Sequence, residues 1–386
     1  MSLLSRSTDG ASIRLPALAT AHSHAFQRAM RGTSQRRGAG LDTFWTWRAQ
    51  MYRVASGLTP ESIGAIARVA FRELARAGVR TVGEFHYVHH QPGGTPYDDR
   101  TILSQAMIHA AKAEGLRIAL LRVAYHRAGP GLAPEEGQRR FCDARVEDVL
   151  ADVDALRAKF AGDPDVVIGV APHSVRAVPP EWLSEIGAYA AKHGLMLHMH
   201  VAEQRREIHE CLAETGMRPM ELLADRGVIS PRFAAVHATH LEPHEARLLG
   251  QARAFACICA TTERDLGDGL PSIHDLREAG VRLCTGVDSH VMTDPIEELR
   301  SLETHERLRT ETRVTWQPAD GTLAEALWRE GSIETAAACG FADAGGSVVI
   351  DRGHPALQLV EDENLLDAIV FSGGAGLVRA VERPPA

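Results

Sequence analysis

Histidine residues in an alternating pattern are the first sign of chemistry in this chain of 386 residues. His22 and His24 stand one residue apart at the end of an apolar run. Side chains at positions i and i+2 of an extended segment point the same way, so these two imidazoles can bind one metal ion. His200 and Asp288 also end apolar runs. Together the four residues form a ligand set that suits Zn²⁺ and leaves a position for water, which indicates a metal-dependent hydrolase.

Chance placement is the alternative explanation of this pattern. The chain has 19 histidines, and most histidines in a protein lie at the surface or make hydrogen bonds in the core. The four candidates differ from the rest because each ends a strand-like run in a chain whose strands and helices alternate. This shared position favours metal binding.

Short apolar runs separated by amphipathic stretches predict the elements that hold these residues. The alternation is typical of a parallel sheet with helical crossovers, and eight strands favour an α/β fold of the (β/α)8, TIM-like barrel type over an open sheet. The eight runs are residues 15–21, 80–85, 117–123, 166–171, 195–200, 234–237, 255–259 and 281–287.

A small β appendage is expected beside the barrel. The elements predicted after the eighth run are helices at 296–309 and 322–339 and strands at 346–351 and 368–371. We expect residues 15–340 to form the barrel. The short lead 1–14 and the C-terminal segment 341–386 would then form an appendage that is incomplete.

The composition argues against several classes of function. A formal net charge of -8 argues against a nucleic-acid partner, and 45% apolar residues are enough to fill the core of a large α/β fold. The sequence shows no apolar stretch of the length that spans a bilayer and no apolar signal-peptide region at its start. We therefore expect a cytoplasmic protein without a membrane or nucleic-acid partner.

Nine stretches of the chain resemble the formimidoylglutamate deiminases, a family of the amidohydrolase superfamily that acts in histidine degradation. The HxH element marks only the superfamily, whereas the sequences FQRAM, GEFHY and APHSVRA are specific to this family. The resemblance implies an amidohydrolase-type barrel, a small-molecule dicarboxylate substrate and a homodimer. The stretches that carry it are residues 22–30, 44–48, 83–90, 137–141, 171–177, 200–204, 237–240, 266–269 and 288–290.

The resemblance also implies which residues hold the metal ion. His22, His24, His200 and Asp288 are expected to bind one Zn²⁺ per chain, and Fe²⁺ is compatible with the same ligands. Binuclear relatives use a carboxylated lysine near the end of the fourth barrel strand. This chain reads APHSVR there and has no lysine, so we expect one metal ion and not two.

Three residues are expected to take part in catalysis. The resemblance places His237 close to the metal, where it would stabilise the attacking water and the intermediate. Asp288 can take a proton from a water whose pKa the metal lowers toward about 7. Glu203, three residues after His200, can protonate the imine nitrogen and then the departing ammonia. The alternatives are a surface carboxylate for Glu203 and a core histidine bonded to the backbone for His237.

Arginine side chains are the expected handles for a glutamate-like substrate, because a planar guanidinium matches a carboxylate better than an ammonium group does. The resemblance places Gln27, Arg48, Tyr87, His173 and Arg176 in the substrate pocket. The two arginines and Gln27 would face carboxylates, and the other two would add hydrogen bonds. As alternatives, Arg48 stacks on an aromatic ring and Tyr87 is half-buried packing.

The function expected from the resemblance is zinc-dependent hydrolysis of N-formimidoyl-L-glutamate to N-formyl-L-glutamate and ammonia. A second hypothesis keeps the metal and the barrel but changes the substrate to another amidine, a guanidine or an aminated heterocycle. A third hypothesis is a catalytically impaired binding protein, prompted by the short ends of the chain. The completeness of the predicted site argues against this third hypothesis.

Overall fold

A barrel of parallel strands dominates the computed structural model, which describes residues 3–6, 11–35 and 43–383. The strands among these residues are β1 Ser5–Arg6, β2 Ser12–Pro16, β3 Leu18–Ser23, β4 Val79–His86, β5 Arg117–Ala124, β6 Val166–Pro172, β7 Leu197–Val201, β8 Phe233–His237, β9 Phe255–Ile258, β10 Arg282–Thr285, β11 Ser347–Asp351 and β12 Val378–Glu382. Strands β3 to β10 are parallel and follow one another around the barrel in chain order.

Almost every residue of the eight barrel strands is buried, as expected for a parallel sheet covered on both faces. This burial explains why the strands appear in the sequence as continuous apolar runs. Each of the eight predicted runs overlaps one barrel strand, so the prediction of a (β/α)8 barrel is confirmed.

The barrel closes between β3 and the residues just beyond β10. The Asp288 N–H donates to the His22 carbonyl (3.0 Å), and the His24 N–H donates to the Asp288 carbonyl (2.9 Å). The Val287 N–H donates to the Thr20 hydroxyl (2.9 Å). Backbone pairing at this seam therefore brings three of the predicted metal ligands together.

Helices cover the outside of the barrel. They are α1 Phe44–Ser56, α2 Pro60–Arg76, α3 Ile102–Ala113, α4 Val146–Lys159, α5 Pro180–His193, α6 Arg205–Thr215, α7 Pro219–Asp225, α8 Pro243–Gln251, α9 Ala260–Leu266, α10 Ile273–Glu278, α11 Pro295–Thr310, α12 Leu323–Arg329, α13 Thr335–Ala338 and α14 Leu365–Ser372. Across the described ranges, no helix combines the length and the apolar character needed to cross a membrane.

A four-stranded antiparallel sheet, in the order β1-β2-β11-β12, lies beside the barrel. The predicted run at 15–21 contains parts of two strands, because the chain passes from this sheet to the barrel at Ala17. The Ala17 N–H donates to the Gly346 carbonyl (3.0 Å), and the Pro16 carbonyl accepts from the Trp328 indole N–H (3.0 Å). The division of the chain at residues 14 and 340 stays a prediction.

The strand predicted at 368–371 is wrong, because these residues belong to helix α14. Leu365, Leu366, Ile369 and Val370 are buried, and their spacing places them on one face of a helix. A short apolar run fits a buried helix as well as a strand, so the sequence alone does not separate the two. The other elements predicted after the eighth run are confirmed, with a π-helical turn, Glu330–Glu334, between α12 and α13.

Candidate active site

Three histidine nitrogens converge at the carboxyl end of the barrel. His22 Nε2 lies 3.1 Å from His24 Nε2 and 3.1 Å from His200 Nε2. His22 is the last residue but one of strand β3, His24 directly follows that strand, and His200 is the last residue but one of β7, at the barrel end where active sites of this architecture lie. All three imidazoles are buried. The structure thus brings together the three histidines that the sequence predicts as ligands.

The hydrogen bonds behind these rings determine which nitrogens carry protons. His24 Nδ1 lies 2.9 Å from the Phe85 carbonyl oxygen, and His200 Nδ1 lies 3.0 Å from the His173 carbonyl oxygen. A carbonyl only accepts, so both Nδ1 atoms donate and both Nε2 atoms carry lone pairs. Burial lowers the pKa of all three converging imidazoles, which keeps them neutral, as metal ligands must be.

A metal cation fits the space between these nitrogens. Lone pairs at 3.1 Å repel one another unless a cation lies between them. Asp288 Oδ1 completes the set, 3.5 Å from His22 Nε2 and 3.2 Å from His24 Nε2. Ligand atoms bound tetrahedrally to zinc are separated by about 3.3 Å, close to the separations seen here. The donor set therefore matches a single divalent ion.

A buried hydrogen-bonded group supports the ligands from behind. Ser23 Oγ lies 2.6 Å from Glu84 Oε2 and 2.8 Å from His290 Nε2. The other oxygen of Glu84 accepts from the Ala25 N–H (2.9 Å). These contacts join the ends of β3 and β4 to the segment after β10. They hold the ligand-bearing segments in register across the barrel seam, as outer-shell partners of metal ligands do.

Backbone strain is concentrated around the same centre. Ala202, His237, Ala238, Asp288 and His290 all have positive φ angles, between 52° and 68°. Residues other than glycine adopt this conformation at a cost in free energy, and they keep it where the surrounding structure fixes it, often at functional sites. The strain here accompanies side chains aimed into the barrel mouth.

His237 stands next to the two predicted catalytic carboxylates. Its Nε2 lies 3.8 Å from Glu203 Oε1 and 3.8 Å from Asp288 Oδ2, and its Nδ1 lies 3.1 Å from Glu263 Oε1. Burial alone would lower the pKa of His237, but Glu203, Glu263 and Asp288 outweigh it and raise the pKa to about 10. Burial raises the pKa of Glu203. A buried carboxyl with a raised pKa suits a general acid.

Asp268 is a further acid close to this group. Its side chain is buried and accepts a hydrogen bond from the Gln204 amide. Burial and the nearby Glu203 raise the pKa of Asp268 to about 9. Its neutral form adds little repulsion to the carboxylates around it.

A cavity that is partly open to solvent, with about 490 Å³ of space including its mouth, contains most of the predicted site. Aromatic side chains form much of its wall, and the acids and imidazoles form one end. It is lined by His24, Gln27, Phe44, Trp47, Arg48, Met51, Tyr52, Tyr87, Tyr125, Phe141, His173, Arg176, His200, Glu203, His237, Leu266 and Asp288. Every predicted catalytic and substrate-binding residue is among them, and His22 touches the cavity wall through His24 and His200. The roles assigned to these residues stay predictions.

The predicted substrate-binding residues carry polar atoms without partners. Arg48 Nε and Nη1 are buried and find no hydrogen-bond partner within the described ranges, and the same holds for Gln27 Oε1. The Gln27 amide donates to the Tyr87 hydroxyl (2.8 Å). The guanidinium of Arg48 lies 4.6 Å from the centre of the Trp45 ring, and that of Arg176 lies 5.8 Å from it. Stacking on Trp45 thus holds both guanidiniums near the cavity.

Several residues of the site were missed by the sequence analysis. They are Ser23, Glu84, His290, Glu263, Asp268, Tyr52, Tyr125 and Gln138, which contact predicted residues or line the cavity. Some of them fall within the family-specific stretches, which was a usable signal. Glu263 and the two tyrosines lie outside those stretches, and only the folded chain places them.

Comparisons with known proteins agree with this geometry. A sequence model of the amidohydrolase family matches residues 13–356. Formimidoylglutamate deiminase of Pseudomonas aeruginosa is 39% identical over 378 residues, which cover 95% of this chain and 82% of that relative. The 8-oxoguanine deaminase of the same organism is 31% identical over 288 residues, 72% of this chain and 60% of the relative.

Among solved structures, an amidohydrolase from Brucella melitensis superposes with a TM-score of 0.86 at 32% identity. The superposition covers 98% of this chain and 89% of that one.

Proposed function

The chain belongs to the amidohydrolase family and, within it, to the group of formimidoylglutamate deiminases, and from this premise we propose that it hydrolyses N-formimidoyl-L-glutamate. The products are N-formyl-L-glutamate and ammonia. One observation carries the proposal: a single cavity has converging lone pairs at one end and unpaired guanidinium donors at the other. A substrate with a reactive amidine and a distant carboxylate fits both ends.

We call the end of the cavity where the imidazole lone pairs converge the acceptor end. Zn²⁺ is the metal ion that we propose for it, one ion per chain. His22, His24, His200 and Asp288 would hold it. A metal ion bound there supplies water of lowered pKa, so that attack on the amidine carbon is feasible at neutral pH. Three imidazoles with one carboxylate also tolerate Fe²⁺, and metal analysis of the purified protein distinguishes the two ions.

The two oxygens of Asp288 have different neighbours, which divides their roles. Oδ1 faces His22 and His24, whereas Oδ2 lies 3.8 Å from His237 Nε2. Oδ2 is therefore placed to take the proton that water loses on attack. The neighbouring carboxylates raise the pKa of His237 to about 10, so its ring carries a proton on both nitrogens at neutral pH. Its Nδ1–H contacts Glu263, which orients the ring so that Nε2–H faces Glu203 and Asp288.

Glu203 is the proposed proton donor to nitrogen. It gives its proton to the terminal imine nitrogen while the water oxygen bonds to the amidine carbon. The proton held by Asp288 then passes to the same nitrogen, the carbon–nitrogen bond breaks and ammonia leaves, while the hydroxyl proton of the intermediate returns to Glu203 as the formyl C=O forms. The buried position of Glu203, which raises its pKa, favours a carboxyl that keeps its proton until this step.

A proton NMR assay of the purified, metal-loaded protein tests the proposal. We expect N-formimidoyl-L-glutamate to disappear as N-formyl-L-glutamate and ammonia appear in equal amounts. Absence of turnover by protein that carries one metal ion per chain would contradict the proposed substrate.

A second candidate is deamination of an aminated heterocycle, which the 31% identity to 8-oxoguanine deaminase favours. A heterocycle has no carboxylate groups for Arg48 and Arg176 to bind. Guanine and 8-oxoguanine belong in the same assay, and turnover of either at a rate comparable with that of N-formimidoyl-L-glutamate supports this candidate.

A cytoplasmic homodimer also stays a proposal from the family, and light scattering of the purified protein measures its mass.

A further inference from the structure

A buried glutamine joins two tyrosines of the cavity. Gln138 ends a short 3-10 turn and is fully buried. Its amide nitrogen lies 3.0 Å from the Tyr52 hydroxyl and 2.9 Å from the Tyr125 hydroxyl. Its amide oxygen lies 2.9 Å from the backbone nitrogen of Glu135. These three polar contacts of the side chain all lie within the protein.

The backbone contact fixes the direction of the other hydrogen bonds. The Glu135 N–H can only donate, so the Gln138 oxygen accepts and its NH₂ group faces the tyrosines. An amide nitrogen only donates, so the Tyr52 and Tyr125 hydroxyl oxygens both accept from it. Each hydroxyl still has one proton to donate.

The hydroxyl protons of Tyr52 and Tyr125 find few acceptors among the neighbouring protein groups. The Tyr125 hydroxyl receives a second, longer contact from Arg176 Nη1 (3.4 Å), which is again a donor. Tyr52 and Tyr125 lie close enough to interact with each other. One proton can be used between them, which leaves the other for an acceptor in the cavity that both tyrosines line. Burial raises the pKa of Tyr52, so this hydroxyl keeps its proton at neutral pH.

Two guanidiniums line the same end of the cavity. Arg48 has two buried nitrogens without a partner among the residues that the structure describes. The nearest carboxylate to it is Glu135, which is largely exposed and 3.9 Å away. Among the described residues, no buried carboxylate hydrogen-bonds to either guanidinium, although the buried Glu207 lies near enough to stabilise the charge of Arg176. Buried donors without acceptors are costly unless a ligand supplies the acceptor.

This group of donors lies away from the metal ligands. The ring of His173 lies between the two ends, 4.8 Å from the His200 ring centre and 4.7 Å from the Tyr125 ring centre. A substrate with its amidine at the histidines therefore extends past His173 to reach the tyrosines. In N-formimidoyl-L-glutamate, the γ-carboxylate is the group farthest from the amidine.

We propose that Tyr52 and Tyr125 bind substrate by donating hydrogen bonds to the γ-carboxylate beside Arg48 and Arg176, and that Gln138 is the positioning residue that aims both hydroxyls. This inference rests on the function proposed above. It adds a rule of selectivity: an end that presents mainly hydrogen-bond donors prefers a carboxylate over a carboxamide, whose NH₂ group brings further donors.

Conservative variants and an isosteric substrate test the tyrosines. We expect wild-type enzyme to prefer N-formimidoyl-L-glutamate over N-formimidoyl-L-glutamine by about 100-fold or more in kcat/KM. Tyr52→Phe and Tyr125→Phe should each raise KM for the glutamate compound by about 10-fold to 100-fold with little change in kcat. Tyr189→Phe is the matched control, because its hydroxyl donates to Asp154 (2.5 Å) outside the cavity.

Gln138→Glu tests the direction of the hydrogen bonds. The new carboxylate can still accept from the Glu135 N–H, but its second oxygen accepts where the NH₂ group donated. Both hydroxyl protons then turn away from the cavity and their lone pairs face the substrate. We expect the preference for the glutamate compound over the glutamine compound to fall by at least 10-fold. A role in folding alone would lower both activities equally and leave the ratio unchanged.

The outcomes separate this inference from the proposed function. If metal-loaded wild-type enzyme does not turn over N-formimidoyl-L-glutamate, the proposed function is wrong and the inference falls with it. If wild type is active but the tyrosine variants keep the wild-type KM and selectivity, only the inference is overturned. Since Tyr52→Phe removes a single oxygen from a side chain at the cavity wall, it tests the proposal even where Gln138→Glu does not fold.

Discussion

The two ends of the cavity differ in the kind of hydrogen-bonding atom that they leave unpaired. At the end with the predicted metal ligands, imidazole lone pairs and carboxylate oxygens converge, and the rings of His24 and His200 are bonded to backbone carbonyls behind them. At the opposite end, which we call the donor end, guanidinium and hydroxyl donors converge around Gln138. An end that gathers acceptors suits a cation, and an end that gathers donors suits an anion.

The two ends also differ in the elements that carry them. The predicted ligands at the acceptor end lie on barrel strands or at the seam, where backbone pairing fixes their positions. Residues at the donor end come from helix α1, which carries Arg48 and Tyr52, and from segments that follow barrel strands. A strand end is rigid and suits chemistry, whereas loops and an added helix can change and set specificity.

The largest effect is expected at the acceptor end. Asp288→Asn keeps the size of the side chain but removes a ligand charge and the proposed proton acceptor. We expect kcat to fall by about 100-fold to 10,000-fold, measured as ammonia release at saturating substrate. Asp351→Asn, in the small sheet, is the control and should keep wild-type activity. Full turnover by Asp288→Asn would contradict the proposed mechanism.

A smaller effect, of a different kind, is expected at the donor end. Arg176→Ala removes a buried guanidinium beside Tyr125 and should cost about 2–4 kcal/mol of substrate binding. This corresponds to a rise in KM of roughly 30-fold to 1,000-fold, while the bound metal stays in place. Loss of the metal ion from this variant would show that the two ends do not act separately.

The support behind the ligands should have a more modest effect. Ser23→Ala breaks the link between Glu84 and His290 without touching a ligand atom. We expect zinc affinity to fall by about 10-fold to 100-fold, measured by competition with a chromophoric chelator. Ser230→Ala serves as control, because this hydroxyl lies far from the predicted ligands in the chain and accepts from the Arg232 N–H. If the two variants bind zinc with equal affinity, the hydrogen bonds of Ser23 do not contribute to metal binding.

The smallest effect concerns stability in acid near the donor end. Asp143 holds the Tyr125 carbonyl through its backbone N–H (2.8 Å) and pairs with Arg122 through its carboxylate (2.8 Å). Burial opposes its ionisation, but Arg122 and His90 outweigh burial and lower the pKa of Asp143 to about 2. The stabilisation is then present above about pH 4 and is lost as the pH falls toward 2.

Asp143→Asn tests this pH dependence. We expect the free energy of unfolding in urea to drop by about 2 kcal/mol at pH 7, with a difference from wild type that shrinks toward zero near pH 2. A difference that stays constant with pH would show that the side chain acts through packing and not through its charge.

Much of the acceptor end can be predicted from the sequence because local patterns encode it. Parallel strands covered on both faces give continuous apolar runs, and the residues that end those runs lie at one end of a barrel. His22, His24, His200 and Asp288 follow from this rule together with the preference of metal ions for imidazole and carboxylate ligands. The barrel itself follows from the number of runs.

The donor end cannot be predicted in this way because its contacts are far apart in the chain. Gln138 meets Tyr52 across 86 positions and Tyr125 across 13. No periodic pattern marks a side chain whose partners are set by how helix α1 lies over the barrel mouth. Helix α14 is a second example, since four apolar residues in a row do not distinguish a helix from a strand.

The most direct measurement is ammonia release from N-formimidoyl-L-glutamate by three samples of the purified protein. They are chelated wild type, the same protein reloaded with one Zn²⁺ per chain, and zinc-loaded Arg176→Ala. We predict no turnover in the first sample, recovery in the second, and a raised KM with metal retained in the third. Undiminished turnover after chelation would contradict a metal cation at one end of the cavity. An unchanged KM in Arg176→Ala would contradict a substrate carboxylate at the other end.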